Sequence, residues 1–343
     1  MFKSALKVFV SLLVVASAAP AAHAESKAKK HKRHVKHAIV KIKATPRHHH
    51  GKHKPAYHHV AYTPVTPAVP PVMTAGDMAG LNHTRDSLAL GSNAAVVIDQ
   101  NTSQVLFDKN STVALPIASL TKLMTATVVV ESHQDMNEIL EVTSDDIDRE
   151  KNSSSRLRVG SRMSRGDMLH IALMSSENRA ASALGRNYPG GLPAFVAAMN
   201  AKAKALGMND THYVDSTGLS SHNVASARDL AKLVAAAYHH PLIRQYSTDD
   251  RYTVNAGGYR LPYMTSNRLV MNSRWDIGLQ KTGYISEAGH CLVMQARIDH
   301  RPVVMVFLDS KGKYTRLADA DRVRKWLETT RPQVFAQAAA PQS

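Results

Sequence analysis

"DIGLQKTGYI" (276–285), "HCLVMQARID" (290–299) and "RPVVMVFLDS" (301–310) follow one another with only a few residues between them. Each is rich in Val, Ile, Leu and Met with a repeat near two, the period at which successive side chains point to opposite faces of a strand. The spacing predicts three consecutive antiparallel strands, the last two joined at His300-Arg301. Cys291, the only cysteine in the chain, falls inside the second run. It is expected to be a buried, unreactive thiol, and no internal disulfide can form.

Outward from this block the pattern changes. "NAAVVIDQ" (93–100) and "SQVLFDKN" (103–110) read as a hairpin. Between the two strand regions the apolar period is about 3.6, as in helices. "SLTKLMTATVVVES" has that spacing, and "SRGDMLHIALMSS" opens with a capping box of Ser164 and Asp167. "LPAFVAAMNAKAKALG" is amphipathic and stops at Gly207, and "SARDLAKLVAAAYHH" (226–240) ends before Pro241. "TRLADADRVRKWLETT" closes the domain as a helix. A strand pair, then helices, then three strands predict an α/β domain over 85–330, an antiparallel sheet covered by helices with an all-helical subregion.

The ends are different material. Residues 1–24 read as a signal peptide, with Lys3 and Lys7, a short apolar core and a small-residue cleavage site at Ala22-His23-Ala24. The apolar run is short for a membrane span, so an uncleaved anchor is the lesser alternative. Residues 25–60 hold eleven Lys/Arg, one Glu and nine His, which puts +10 of the chain's +16 on this segment. Like charges and few large apolar groups predict disorder there. Residues 61–84 read as a Pro-rich linker, and 331–343 as a flexible C-terminal tail. An exported chain makes nucleic acid an unexpected partner for the basic run; anionic envelope polymers or lipid head groups fit better. His48, His49, His50, His53, His58 and His59 can bind zinc or copper weakly, and a merely solvated tether is the plain alternative.

Three short motifs lie in the domain. Ser119-Leu120-Thr121-Lys122 is S-x-x-K, whose ends share one helix face. Ser176-Glu177-Asn178 is S-x-N at a break between two helices, and Lys281-Thr282-Gly283 is K-T-G on an edge-like strand. A serine hydroxyl becomes a nucleophile only when a base takes its proton, and Lys122 is a base only when neutral. A second ammonium, Lys281, at about 5 Å would repel it by roughly 3 kcal/mol at an effective dielectric near 20. Desolvation acts in the same direction. The reading therefore assigns Ser119 as nucleophile, Lys122 as base and Ser176 as proton relay to the leaving amine. Asn178 would hold the substrate amide and Lys122, Thr282 would bind a carboxylate, and Lys281 is a further substrate-binding residue. Gly283 would let the substrate backbone lie close to the strand. The amides of Ser119 and Tyr284 would form an oxyanion hole.

S-x-x-K, S-x-N and K-T-G in this order, 57 and 105 residues apart, resemble the serine D-alanyl-D-alanine peptidases, the low-molecular-mass penicillin-binding proteins. "VDSTGLSSHNVASARDLAKLV" (214–234) looks like that family's signature outside the active site. "MSSENRAASALGRNYPGG" and "WDIGLQKTGYISEAGHCLVMQARIDHRPVVMVFLD" resemble its endopeptidase branch. The resemblance implies a β-lactamase/transpeptidase-like α/β fold, a periplasmic home, peptidoglycan stem peptides as substrate, β-lactams as covalent inhibitors, and no metal or cofactor. The chain ends soon after its last predicted helix, with no room for the extra β-domain and membrane anchor of the carboxypeptidase branch. Tyr284 stands where carboxypeptidases often have histidine, which should alter the cleft and spare catalysis. Glu177, in place of the usual Gly or Asp, is expected to face solvent rather than an amine of the stem. No Glu lies between Glu177 and Glu287, which argues against rapid β-lactam turnover. The predicted activity is hydrolysis of D-alanyl-diaminopimelate cross-links through a serine acyl-enzyme. The alternatives are D-alanyl-D-alanine carboxypeptidase and a catalytically weak envelope-binding protein.

Overall fold

The structure, a computed structural model, describes residues 73–338. The signal peptide, the basic segment and the first part of the Pro-rich linker fall outside the described residues, as do 339–343. Residues 73–84 correct the linker assignment. They form a short helix, α1 (Ala75–Met78), capped by the Thr74 hydroxyl, and a 3-10 turn at Leu81–His83. The Ala75 amide donates to the Glu287 carbonyl, and the Thr74 hydroxyl donates to Asp309 at 2.7 Å. This proline-free half of the stretch is part of the domain.

The predicted hairpin follows as β1 (Ser92–Asp99) and β2 (Val105–Lys109). A short strand β3 (Leu115–Pro116) leads through a 3-10 turn, Ala118–Leu120, into α2 (Thr121–Glu131). Strands β4 (Ile139–Glu141) and β5 (Arg162–Ser164) pair as a small ribbon before α3 (Arg165–Met174). The Ser164 hydroxyl accepts from the Asp167 amide at 3.0 Å, but the Asp167 carboxylate accepts from the Tyr252 hydroxyl. Only half of the expected capping box is therefore made.

Helices α4 (Asn178–Arg186) and α5 (Gly191–Ala205) come next, the latter followed by Gly207 at φ +67°. Strand β6 (Val224–Ala225) pairs with β3. Helix α6 (Ala227–Tyr238) is capped by Ser226, and Pro241 opens α7 (Pro241–Thr248), which the sequence did not announce. A second ribbon, β7 (Arg251–Asn255) and β8 (Arg260–Met264), was also unannounced. The three apolar runs then form β9 (Asp276–Ile285), β10 (Gly289–Ile298) and β11 (Arg301–Ser310). The β10–β11 link is Asp299-His300, one residue earlier than expected, with φ values of +48° and +65°. Two left-handed residues give the turn whose twist matches the flanking strands. The last helix, α8 (Thr315–Ala338), continues past Thr330, where the sequence placed its end.

The main sheet has five strands in the order β2-β1-β11-β10-β9, all antiparallel, with β9 at its edge. Both faces are buried, which is why these strands read as nearly continuous apolar runs. One face (Val96, Val293, Val304, Val306) joins the core formed with α2 to α7. The other (Val97, Met294, Met305, Phe307) packs under α8 with Ala320, Val323 and the half-buried Trp326. No helix among the described residues is long and apolar enough to cross a membrane.

Asp319 fixes α8 to the sheet. Its carboxylate, fully buried, accepts from the amides of Gly91 (3.0 Å) and Ser92 (2.9 Å) and from the Ser92 hydroxyl (2.6 Å). An Asp319→Ala variant leaves the Gly91 and Ser92 amides unpaired in the interior, while the Ser92 hydroxyl keeps Ser310 Oγ at 2.6 Å. Each such group costs about 1–3 kcal/mol, so the melting temperature should fall by roughly 5–10 °C. A calorimetric scan that finds no drop would refute this role.

Candidate active site

The site is assembled where the helical region meets the edge of the sheet. Ser119 lies on the 3-10 turn just before α2, and Lys122 in the first turn of that helix. Lys122 Nζ is 2.9 Å from Ser119 Oγ, 2.7 Å from Asn178 Oδ1 and 2.5 Å from the carbonyl oxygen of Thr217. The last two oxygens are pure acceptors, so they engage two N–H bonds of the amine. The remaining tetrahedral direction points at Ser119 Oγ, where a neutral amine presents its lone pair.

Asn178 begins α4, and its amide NH₂ donates to Ser153 Oγ at 2.9 Å. Ser176 precedes it at φ +66°, in the left-handed region that a serine adopts at a cost of about 1–3 kcal/mol. Lys281 Nζ donates to Ser176 Oγ at 2.9 Å and to the Thr282 carbonyl at 2.8 Å. Thr282 Oγ1 is 2.7 Å from Ser266 Oγ. The three motifs therefore converge, and each cationic residue holds one serine.

Gly283 is closely packed against the chain that carries Ser119. A Cβ there would stand 3.0 Å from the Ile117 carbonyl, 3.1 Å from the Ser119 nitrogen and 3.2 Å from Ala118 Cβ. Glycine lets β9 approach the segment that carries Ser119. Behind it, the buried guanidinium of Arg316 donates to the carbonyls of Gly283 (2.7 Å) and Cys291 (2.8 Å). Tyr284 is 58% exposed, and its ring stacks on His290 at 4.3 Å. Burial, with the charges of Arg316 and Lys313, pushes His290 down to about 4. Cys291 is buried, and burial pushes its thiol up to about 12, as expected of an inert cysteine.

Both lysines are fully buried, and burial is the main cause of their lowered pKa values. Lys122 falls to about 7, held up in part by Asp215, Glu177 and Asp148. Lys281 falls well below its ordinary value, pushed further by the charges of Lys122 and Arg316. The expectation puts repulsion first and desolvation second; burial is the first cause on both lysines. Desolvation is the largest cause of the fall at Lys122.

Two further corrections concern Glu177 and the stretch 214–234. Glu177 does not face solvent: it is buried, and its carboxylate accepts from Ser155 Oγ at 2.6 Å and from the Tyr263 hydroxyl at 3.3 Å. The stretch 214–234 is not outside the site, since it supplies the Thr217 carbonyl. Asp215 shapes that turn by accepting from the amides of Thr217, Gly218 and Ser220. Gly218 sits at φ +80°, where a Cβ would lie 1.9 Å from the Ala118 carbonyl oxygen. Sequence reasoning missed Ser153, Thr217 and Ser266. The aspartate-led turn at 215–218 was a legible signal; the carbonyl aimed at Lys122 was not.

A family profile described as D-alanyl-D-alanine carboxypeptidase matches residues 80–312. The chain is 52% identical over 242 residues to the D-alanyl-D-alanine endopeptidase of Pseudomonas aeruginosa, covering 70% of this chain and 78% of that one. It is 47% identical over 266 residues to the D-alanyl-D-alanine endopeptidase of Escherichia coli, covering 76% of this chain and 85% of the relative. Among solved structures it resembles penicillin-binding protein D2 from Listeria monocytogenes in its ampicillin-bound form. That likeness has a TM-score of 0.62 and 27% identity over 70% of this chain and 98% of the other.

With Lys122 as the group that must be neutral, acylation by a fluorescent penicillin should be slow in acid and rise through a midpoint near pH 7. A rate constant that stays flat between about pH 5 and 9 would remove Lys122 from the base's role.

Proposed function

This chain belongs to the D-alanyl-D-alanine carboxypeptidase family of serine peptidases, and we propose that within it the protein is a peptidoglycan endopeptidase cutting D-alanyl-diaminopimelate cross-links. The observation that carries the chemistry is the ring of three oxygens around Lys122 Nζ, one of them Ser119 Oγ at 2.9 Å. The endopeptidase preference is supported by the names of the two similar relatives.

Neutral Lys122 accepts the Ser119 proton as Oγ attacks the D-alanyl carbonyl. The amides of Ser119 and Tyr284 receive the oxyanion, for which one donor is typically worth about 10²–10³ in rate. The proton passes through Ser176, which Lys281 holds, to the departing diaminopimelate amine, and the C–N bond breaks. Asn178 orients the substrate amide, while Thr282 and Lys281 receive a carboxylate. Gly283 keeps the β9 edge close to the bond being cut. Water then attacks the acyl-enzyme ester, with Lys122 again taking a proton, and releases the D-alanyl carboxylate and free Ser119. A penicillin acylates the same serine.

The protein acts in the periplasm after removal of residues 1–24. The basic segment 25–60 adds a screened attraction to anionic envelope polymers that places the domain against the wall.

Purified protein incubated with cross-linked muropeptide dimers should give tetrapeptide monomers by mass. A Ser119→Ala variant should give none and should lose labelling by fluorescent penicillin. Loss of a single terminal alanine from pentapeptides, with dimers left intact, would assign carboxypeptidase activity instead. Deleting residues 25–60 should weaken salt-sensitive retention on isolated sacculi at low ionic strength while leaving dimer cleavage intact; unchanged retention would dismiss the anchoring role.

A further inference from the structure

Beside Ser176 and Asn178 a cleft of about 360 Å³ opens, lined also by Ser154, Ser155, Arg156, Glu177 and Tyr263. Its lining is mostly polar. Arg156 is exposed, yet its guanidinium is placed: it lies 4.0 Å over the Tyr263 ring and donates to the Pro262 carbonyl. No carboxylate pairs with it among the described residues. A stacked arginine with one N–H engaged has its remaining donors set in a fixed fork, the geometry that takes a carboxylate. Glu177 is the only acidic residue lining the cleft. It is held by Ser155 and Tyr263, so the two charges stand on fixed supports.

We propose that this cleft is a subsite for the charged end of a diaminopimelate residue, with its carboxylate on Arg156 and its ammonium toward Glu177, and that Arg156 is a specificity-determining residue for the cross-link. This rests on the endopeptidase reading. Two parts of the substrate carry that chemistry. The acyl-donor stem has a diaminopimelate side chain ending in an amine and a carboxylate. The leaving stem has a carboxylate beside the bond being cut, and its amine becomes an ammonium on release. Ser176, the proposed route of the proton to that amine, lines the same cleft.

The test uses three muropeptide dimers: unmodified, amidated at the donor diaminopimelate carboxylate, and amidated at the leaving one. Wild-type kcat/KM should fall about tenfold or more for one amidated dimer, and which one identifies the stem that occupies the cleft. Arg156→Gln should cleave that dimer and the unmodified one at nearly equal rates, and Arg156→Lys should discriminate weakly. Each comparison is a ratio within one variant, so loss of folded protein cancels, and penicillin labelling reports the active fraction. A wild type indifferent to both amidations, or Arg156→Gln with undiminished discrimination, would overturn the subsite. If wild type cleaves no dimer, the endopeptidase reading fails by itself. Trimming of a pentapeptide with free or amidated diaminopimelate then decides the subsite, and equal rates overturn it.

Discussion

Lys122 Nζ is gripped by oxygens from three separate parts of the chain: the turn before α2, the first residue of α4 and the loop at Thr217. A buried ammonium without partners would be prohibitive, and one with three strong acceptors and no desolvation would keep its proton. The site lies between these limits. Full burial lowers the amine, the carboxylates of Asp215, Glu177 and Asp148 limit the fall, and the outcome is near 7. A base must be neutral yet still avid for a proton, and a pKa close to the working pH serves both needs. The fold therefore has to bring α2, α4 and the 214–220 loop together in one place.

That convergence is set by backbone sterics as much as by polar contacts. Ala118, just before Ser119, is at φ +49°, which aims its carbonyl at the 218 turn. Gly218 is the residue that fits beneath that carbonyl, and Gly283 lets the sheet edge close on Ile117–Ser119 from the other side. The segment that carries Ser119 is thus held between Gly218, in a turn, and Gly283, on the edge strand β9. The positive φ values at Ala118 and Ser176 are strain held by surrounding packing, and both adjoin or carry hydroxyls of the site.

Around this centre, charged side chains act as struts. Arg316 pins the β9–β10 pair from behind, and Asp319 on the same helix holds β1. Lys151 reaches Glu287 at 2.6 Å, linking the loop that carries Ser153 to the turn beyond K-T-G. Both walls of the cleft are tied to each other as well as to the core.

Hydrophobic period alone revealed β1, β2, β9, β10, β11 and the main helices, because each buries a face wide enough to leave a repeat. It did not reveal α7 or the β7–β8 ribbon, which are short and half-exposed, or the docking of 73–84, which uses few apolar groups. The motifs named the reacting side chains, since serine, lysine and asparagine have distinct chemistry wherever they stand. Sequence alone could not assign a backbone carbonyl at Thr217, turn Glu177 inward to Ser155 and Tyr263, or say what Gly283 must clear. The chemical groups are local properties of the chain and are written in it; their desolvation and mutual distances arise from segments some hundred residues apart, and only the folded arrangement fixes them.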